Sequence, residues 1–128
     1  MPLNPAFTGL IAAHLDAAVA RAAREAASVI HSNLDQPGHG EKWPKSPNRS
    51  SAPGEFPARQ FDALINSIDA ERAGLGEWQV GSFNGPSEAV RLEFKQAGGA
   101  TRPWLSRSME DPGTHEKMLN AIKGGDLL

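Results

Sequence analysis

The chain is 128 residues long, with 39% hydrophobic and 22% charged residues, a formal net charge of -2 and a pI near 6.1. That length suits one domain with one modest core, and the near-neutral charge argues against a protein whose main work is neutralising phosphates. The lack of cysteine excludes disulfide frameworks and thiolate metal sites.

The N-terminal stretch lacks the basic start and unbroken apolar centre of a signal peptide, and no run approaches the roughly 18 apolar residues of a membrane span. A soluble protein, made where it works or where it is assembled, is the expectation. The 13 glycines and 10 prolines point to extensive loops.

From Thr8 to Leu34 the residues Ile11, Leu15, Ala18, Val19, Ala22, Ala26, Val29 and Ile30 recur at three- and four-residue steps amid alanine, which predicts one long helix. Its start is either Asn4 followed by first-turn Pro5, or Thr8. Asn33, Pro37 and Gly38 mark its end. A helix of that length is roughly 40 Å long. A domain this small cannot cover all of it, so part of its apolar stripe is expected to face another subunit.

Residues 35–60 form a proline-rich arm. They hold five of the ten prolines, three glycines, four basic residues and three acids. Structureless stretches of more than about 15 residues inside compact domains are either disordered or functional. Trp43 and Phe56 are costly aromatics for a simple linker, so Trp43, Phe56 and Pro57 are expected either to anchor the arm on a neighbour or to pack locally.

Phe61, Leu64, Ile65 and Ile68 then give two turns of one-faced helix and are assigned to the core. Strands are predicted at residues 67–73 and 77–83, joined as a hairpin through Gly74 and Gly76. Val90, Leu92 and Phe94 alternate with Arg91, Glu93 and Lys95, favouring a third strand with Leu92 and Phe94 in the core and Glu93 facing away. The preceding "PSEAV" is also compatible with a helix start. "KQAGGATRP" reads as a turn, "WLSRSMEDP" as a short helical segment, and "THEKMLNAIKGG" as a final helix capped by Thr114 and stopped by Gly124. The expected fold is therefore α+β: a long N-terminal helix, an extended arm, a small antiparallel sheet and one or two short C-terminal helices, in a single domain spanning 1–128.

Catalytic and metal signatures are weak. His39 and Glu41 with Asp35 offer nitrogen and oxygen ligands, but at loop spacing and without a second histidine at helical spacing. His14, His31 and His115 read as solvated or interfacial. "VGSFNG" is not a G-x-S-x-G elbow, and "AGLGEW" lacks the third glycine and the lysine of phosphate-binding loops. "NRSS" matches a glycosylation sequon only formally. The expectation is a non-enzymatic protein that calls for no cofactor and no metal.

Two stretches carry a resemblance. "SAPGEFPARQFDALINSI", Ser51 to Ile68, looks like a signature of the neck or tail-completion family of long-tailed bacteriophages and gene transfer agents, in which a P-G-x-x-P arm leads into a leucine-bearing helix ending in Ser-Ile. "EAVRLEFKQAGGATRPWLSRSME", Glu88 to Glu110, is similar to that family's Leu-Glu-Phe element followed by an Arg-Pro-aromatic-Leu helix start. The chain departs from the pattern at Phe61-Asp62, where Thr-Gly is usual, and at Lys95, where Gly is usual.

The resemblance implies a head-tail joining protein of the virion, a ring of six or twelve copies between the DNA-filled head and the tail. Its implied partners are a head-completion or adaptor protein on one side and a tail terminator or tail tube on the other. DNA would pass through the ring without specific binding, and no membrane is involved. Arg102, Pro103 and Trp104 begin the last helical region, either as a helical contact with a neighbour or as structure within the protomer. A tail terminator or other tail-morphogenesis subunit is the nearest alternative. A small nucleic-acid-binding or regulatory module using the basic residues of the arm is the alternative of another class.

Overall fold

A computed structural model of the chain describes residues 5–49, 51, 55–58, 62–86, 88–93 and 103–124. The architecture is α+β. Helix α1 (Pro5–Leu34) is followed by the arm, a short α2 (Ala63–Ser67), an antiparallel pair β1 (Ile68–Gly74) and β2 (Glu77–Ser82), and then α3 (Glu88–Glu93), α4 (Leu105–Glu110) and α5 (Pro112–Lys123).

Helix α1 begins at Pro5, the first-turn position where a missing N–H has no cost. Its 30 residues give a rod of about 45 Å. Ala18, Ala22, Ala23 and Ala26 are buried at 0–6% exposure, and these small side chains let α5 and the hairpin both approach the helix closely. Ile30 and Leu34, at the C-terminal end, join Leu64, Ile65, Ile68, Ala89 and Trp104 in the core. Among the described residues no helix is long and apolar enough to cross a membrane.

The hairpin pairs Ile68 with Ser82 and Arg72 with Trp78, with an irregularity between Arg72 and Gly74 before the turn. Gly76 takes φ +70°, a left-handed conformation that glycine adopts without a Cβ penalty. The sheet thus matches the predicted hairpin.

The third predicted strand is not one. Residues Glu88–Glu93 form α3, opened by the Ala89 N–H donating to the Pro86 carbonyl. Helical spacing puts Ala89, Leu92 and Glu93 on one side, with Ala89 buried and Leu92 half-buried against the core. Glu93 does not face away; it turns to α4 and binds its first N–H groups.

The start of the last helix also differs from expectation. Asp111 is its cap, with Oδ1 accepting from the Gly113 N–H at 2.9 Å, and Pro112 occupies the first turn. Thr114, expected to cap, is 2% exposed inside the fold. Gly124 closes the helix, its N–H donating to the Asn120 carbonyl at 2.8 Å. Arg21 grips that end by donating to the carbonyls of Ala121 and Ile122 at 2.9 and 3.2 Å. These carbonyls are among those a helix end leaves without intrahelical partners.

Candidate functional site

Described residues of both quoted stretches, Phe56, Glu93 and Trp104 among them, meet around α4. Its first turn begins Pro103-Trp104-Leu105 and has no capping side chain of its own. Glu93 supplies the cap from another helix: Oε2 accepts the N–H of Trp104 and of Leu105, and Oε1 that of Ser106, all at 2.9 Å. Burial pushes the Glu93 pKa up, but hydrogen bonds from the Ser106 hydroxyl and the N–H groups of Leu105, Ser106 and Trp104 outweigh it. The carboxyl therefore titrates below its ordinary value.

The Trp104 indole N–H donates to the Ala89 carbonyl at 2.8 Å, and Ser108 Oγ donates to the Trp104 carbonyl at 2.6 Å. Asn33 of α1 donates to Ser108 Oγ at 2.9 Å. The Trp104 indole N–H, the Trp104 carbonyl and the Ser108 hydroxyl each have a partner, as buried polar groups require. Trp104 is 3% exposed, so of its two expected roles it takes the structural one and closes the protomer's own core. Pro103 beside it is half-buried; Arg102 lies outside the described residues.

The arm's second half returns to the same place. Phe56 packs against the core with the Arg107 guanidinium 4.3 Å from its ring centre, and Pro57 is buried. Glu55 accepts the His39 backbone N–H at 3.0 Å and contacts His39 Nδ1 at 2.5 Å, tying the two ends of the arm together. The arm's tip is organised differently. Lys42 Nζ donates to the carbonyls of Trp43 and Ser46, the Ser46 N–H donates to the Trp43 carbonyl at 3.1 Å, and Arg49 donates to the Gly40 carbonyl at 2.9 Å. These bonds fix the backbone of the tip and leave the Trp43 ring 55% exposed. Of the three expected arm anchors, Phe56 and Pro57 sit on their own protomer and Trp43 projects. Leu64, Ile65 and Ile68 are buried in the core; Phe61 and Phe94 lie outside the described residues.

On the other side of α4 lies a cleft of about 400 Å³ between α3, α4 and the chain after β2. Its walls are mainly apolar, from Pro86, Ala89, Trp104, Leu105 and Met109, with Glu93 among its lining residues.

A second feature is the N-terminal part of α1. The hairpin tip is pinned to it at Asp16, which accepts the Gly76 N–H at 2.7 Å and the Arg72 Nε–H at 3.3 Å. The Gly76 N–H, opposed by burial and aided by Arg72, holds the Asp16 carboxyl below its ordinary range. The Trp78 indole N–H, short of a hydrogen-bonded geometry, adds to that lowering. Arg24 lies over the Trp78 ring, 5.2 Å from its centre. Leu10, Ile11 and Leu15 precede both Asp16 and Arg21 and are 55%, 38% and 57% exposed. Ile11 and Leu15 continue, at steps of four, three and four, into buried Ala18 and Ala22. The stripe that packs the fold therefore runs on, uncovered, for roughly 8 Å from Leu15 back to Leu10, given the helical rise.

Sequence reasoning missed Glu93, Asp16 and Arg107. The signal for Glu93 was indirect: a helix start without Ser, Thr, Asp or Asn implies a donor set satisfied from elsewhere. Among the described residues, no group of three or more His, Asp and Glu side chains is placed to hold a metal ion, and His39 meets Glu55 rather than Glu41 or Asp35. Comparison of the chain with protein-family models, curated proteins and solved structures gives no match.

Proposed function

We propose that the chain is a structural subunit of a phage virion that assembles with copies of itself into a ring at the neck, joining the DNA-filled head to the tail. The observation that carries this reading is the apolar stripe of α1, which continues past its own domain as Leu10, Ile11 and Leu15. Contiguous exposed apolar surface on a small protein marks a contact surface. A closed ring requires a heterologous contact, one patch meeting a different patch on the next copy, and a projecting helix end supplies one half of such a pair.

The resemblance supports the same reading through the chemistry of its motifs. Glu93, from the Leu-Glu-Phe element, caps the helix begun by the Arg-Pro-aromatic-Leu element, so the two stretches work as one unit. The net charge of -2 suits a conduit through which DNA slides, since tight phosphate binding would impede passage. The ring reads as non-enzymatic, and its place is the virion.

The test is electron microscopy of particles made when this gene alone is disabled in its parent phage or agent. Filled heads and finished tails lying unjoined are expected. Normal joined particles would overturn the reading, and heads bearing tails of abnormal length would replace it with the tail-terminator role.

A further inference from the structure

We propose that Trp43 of one copy seats in the α3–α4 cleft of the next, so that each copy carries both the knob and the hole of the subunit contact. The inference rests on the ring reading above and assigns the surfaces that build it.

The knob is presented ready-made. The bonds from Lys42, Ser46 and Arg49 hold the arm's tip in one turn and leave the indole outside it. A rigid aromatic already exposed loses little conformational freedom on docking, which is why such residues dominate interface energetics. Its immediate sequence, Glu41-Lys42-Trp43-Pro44-Lys45, carries two positive charges against one negative.

The hole matches in size and charge. At about 400 Å³ the cleft is at the small end of pockets that take small ligands, roughly 300–1,000 Å³. One ring system fits it, not a folded element. Its walls are mainly apolar, and among the described lining residues the one charged group is the carboxylate of Glu93, opposite in sign to Lys42 and Lys45. Helix α4 thus offers two seats: Arg107 and the core hold the protomer's own Phe56, and Leu105 with Met109 line the seat for a neighbour's aromatic. The protomer's own arm is bound at the first seat and tied by Glu55 to His39, so a neighbour's arm is the matching source for the second.

Area sets how strong the contact is. An indole buries about 150–250 Å², against about 800 Å² per partner in a stable interface. The knob therefore supplies a minor share, and the α1 stripe must add to it. Pairs are accordingly weak and closed rings cooperative.

The cysteine-free sequence gives a clean test. Lys45→Cys, beside the knob, and Glu110→Cys, one residue past Met109, are made in separate chains, mixed at high concentration and treated with a short thiol-reactive cross-linker. The same mixtures are analysed by sedimentation. Cross-linking between the two chains is expected, and Trp43→Ala in the Lys45→Cys chain should lower its yield about tenfold, the ratio set by roughly 1.4 kcal/mol of lost docking. Multimers whose cross-link yield ignores Trp43→Ala would overturn the knob and leave the ring standing. Chains monomeric at every concentration would overturn both. Circular dichroism of Trp43→Ala should match the parent, and an unfolded variant would show that Trp43 serves the protomer rather than its neighbour.

Discussion

Glu93 and Trp104 hold each other's helices in place in both directions. The Trp104 backbone N–H donates to Glu93 Oε2 at 2.9 Å, and the Trp104 indole donates at 2.8 Å to the carbonyl of Ala89, one turn before Glu93 on α3. Neither short helix, at six residues each, would be stable alone in water. Their mutual capping explains why two weak elements persist and why the cleft between them has a fixed shape.

Glu93→Gln should therefore destabilise the protein. The amide keeps one oxygen that can accept, but it loses the charge and turns an NH₂ group towards backbone donors. Hydrogen bonds to a charged group contribute about 1.5–3 kcal/mol each, and part of that survives through the remaining oxygen. A loss of about 1–3 kcal/mol is expected in urea unfolding, with Glu93→Ala at or above the upper end. A change within about 0.5 kcal/mol, the range of ordinary surface substitutions, would contradict the capping role.

The same group sets a pH dependence. Its pKa is lowered on folding because the ionised form accepts the α4 N–H groups, so the stabilisation is complete above the unfolded value of about 4.3. It is lost as pH falls through that value and then through the lower folded one. Asp16, lowered chiefly by the Gly76 N–H, acts in the same direction at the hairpin tip. Stability should thus fall on acidification below the ordinary carboxylate range. Glu93→Gln should flatten that part of the curve in parallel unfolding titrations, and identical slopes in parent and variant would refute the assignment.

Gly85 tests the packing beneath the cleft. A Cβ placed there would lie 1.9 Å from Ser82 Oγ and 2.7 Å from Ser67 Oγ, which are hydrogen-bonded to each other at 2.6 Å. The Ser82 hydroxyl can rotate aside only by giving up that bond, and Ser67 Cβ at 2.9 Å cannot move without shifting the end of α2. Gly85→Ala should cost about 1–3 kcal/mol, as overpacking does. Adding Ser82→Ala should recover part of it by removing the nearest atom.

The parts of this fold that sequence reveals are those specified locally. Helix α1 follows from an apolar period of three and four over many residues, and the hairpin from alternation on both sides of Gly74 and Gly76. Helix α3 was hidden because Val90, Leu92 and Phe94 alternate as a strand would, while the decision is made by Trp104 and by the use of Glu93 as a cap, contacts eleven or more residues away. The arm was legible as an arm. Its division into a seated half at Phe56 and a projecting tip at Trp43 was not, because Arg107, which holds Phe56, gives no local signal of that partnership.

Leu15→Glu separates folding from assembly. Leu15 is 57% exposed and precedes the points where Asp16 and Arg21 pin the hairpin and α5. A charge there removes no buried contact of the protomer, so unfolding free energy should change by no more than about 0.5 kcal/mol, as for other surface sites. If the α1 stripe is the contact proposed, the same charge must be desolvated against a neighbour. That penalty is large for an unpaired carboxylate, and multimers should vanish in sedimentation at concentrations where the parent forms them. Leu119→Glu, on the exposed side of α5 at 50%, is the comparison. Loss of assembly by Leu15→Glu alone places the contact on α1, and equal loss by both extends it across α5. Full assembly by Leu15→Glu would remove the projecting helix from the interface.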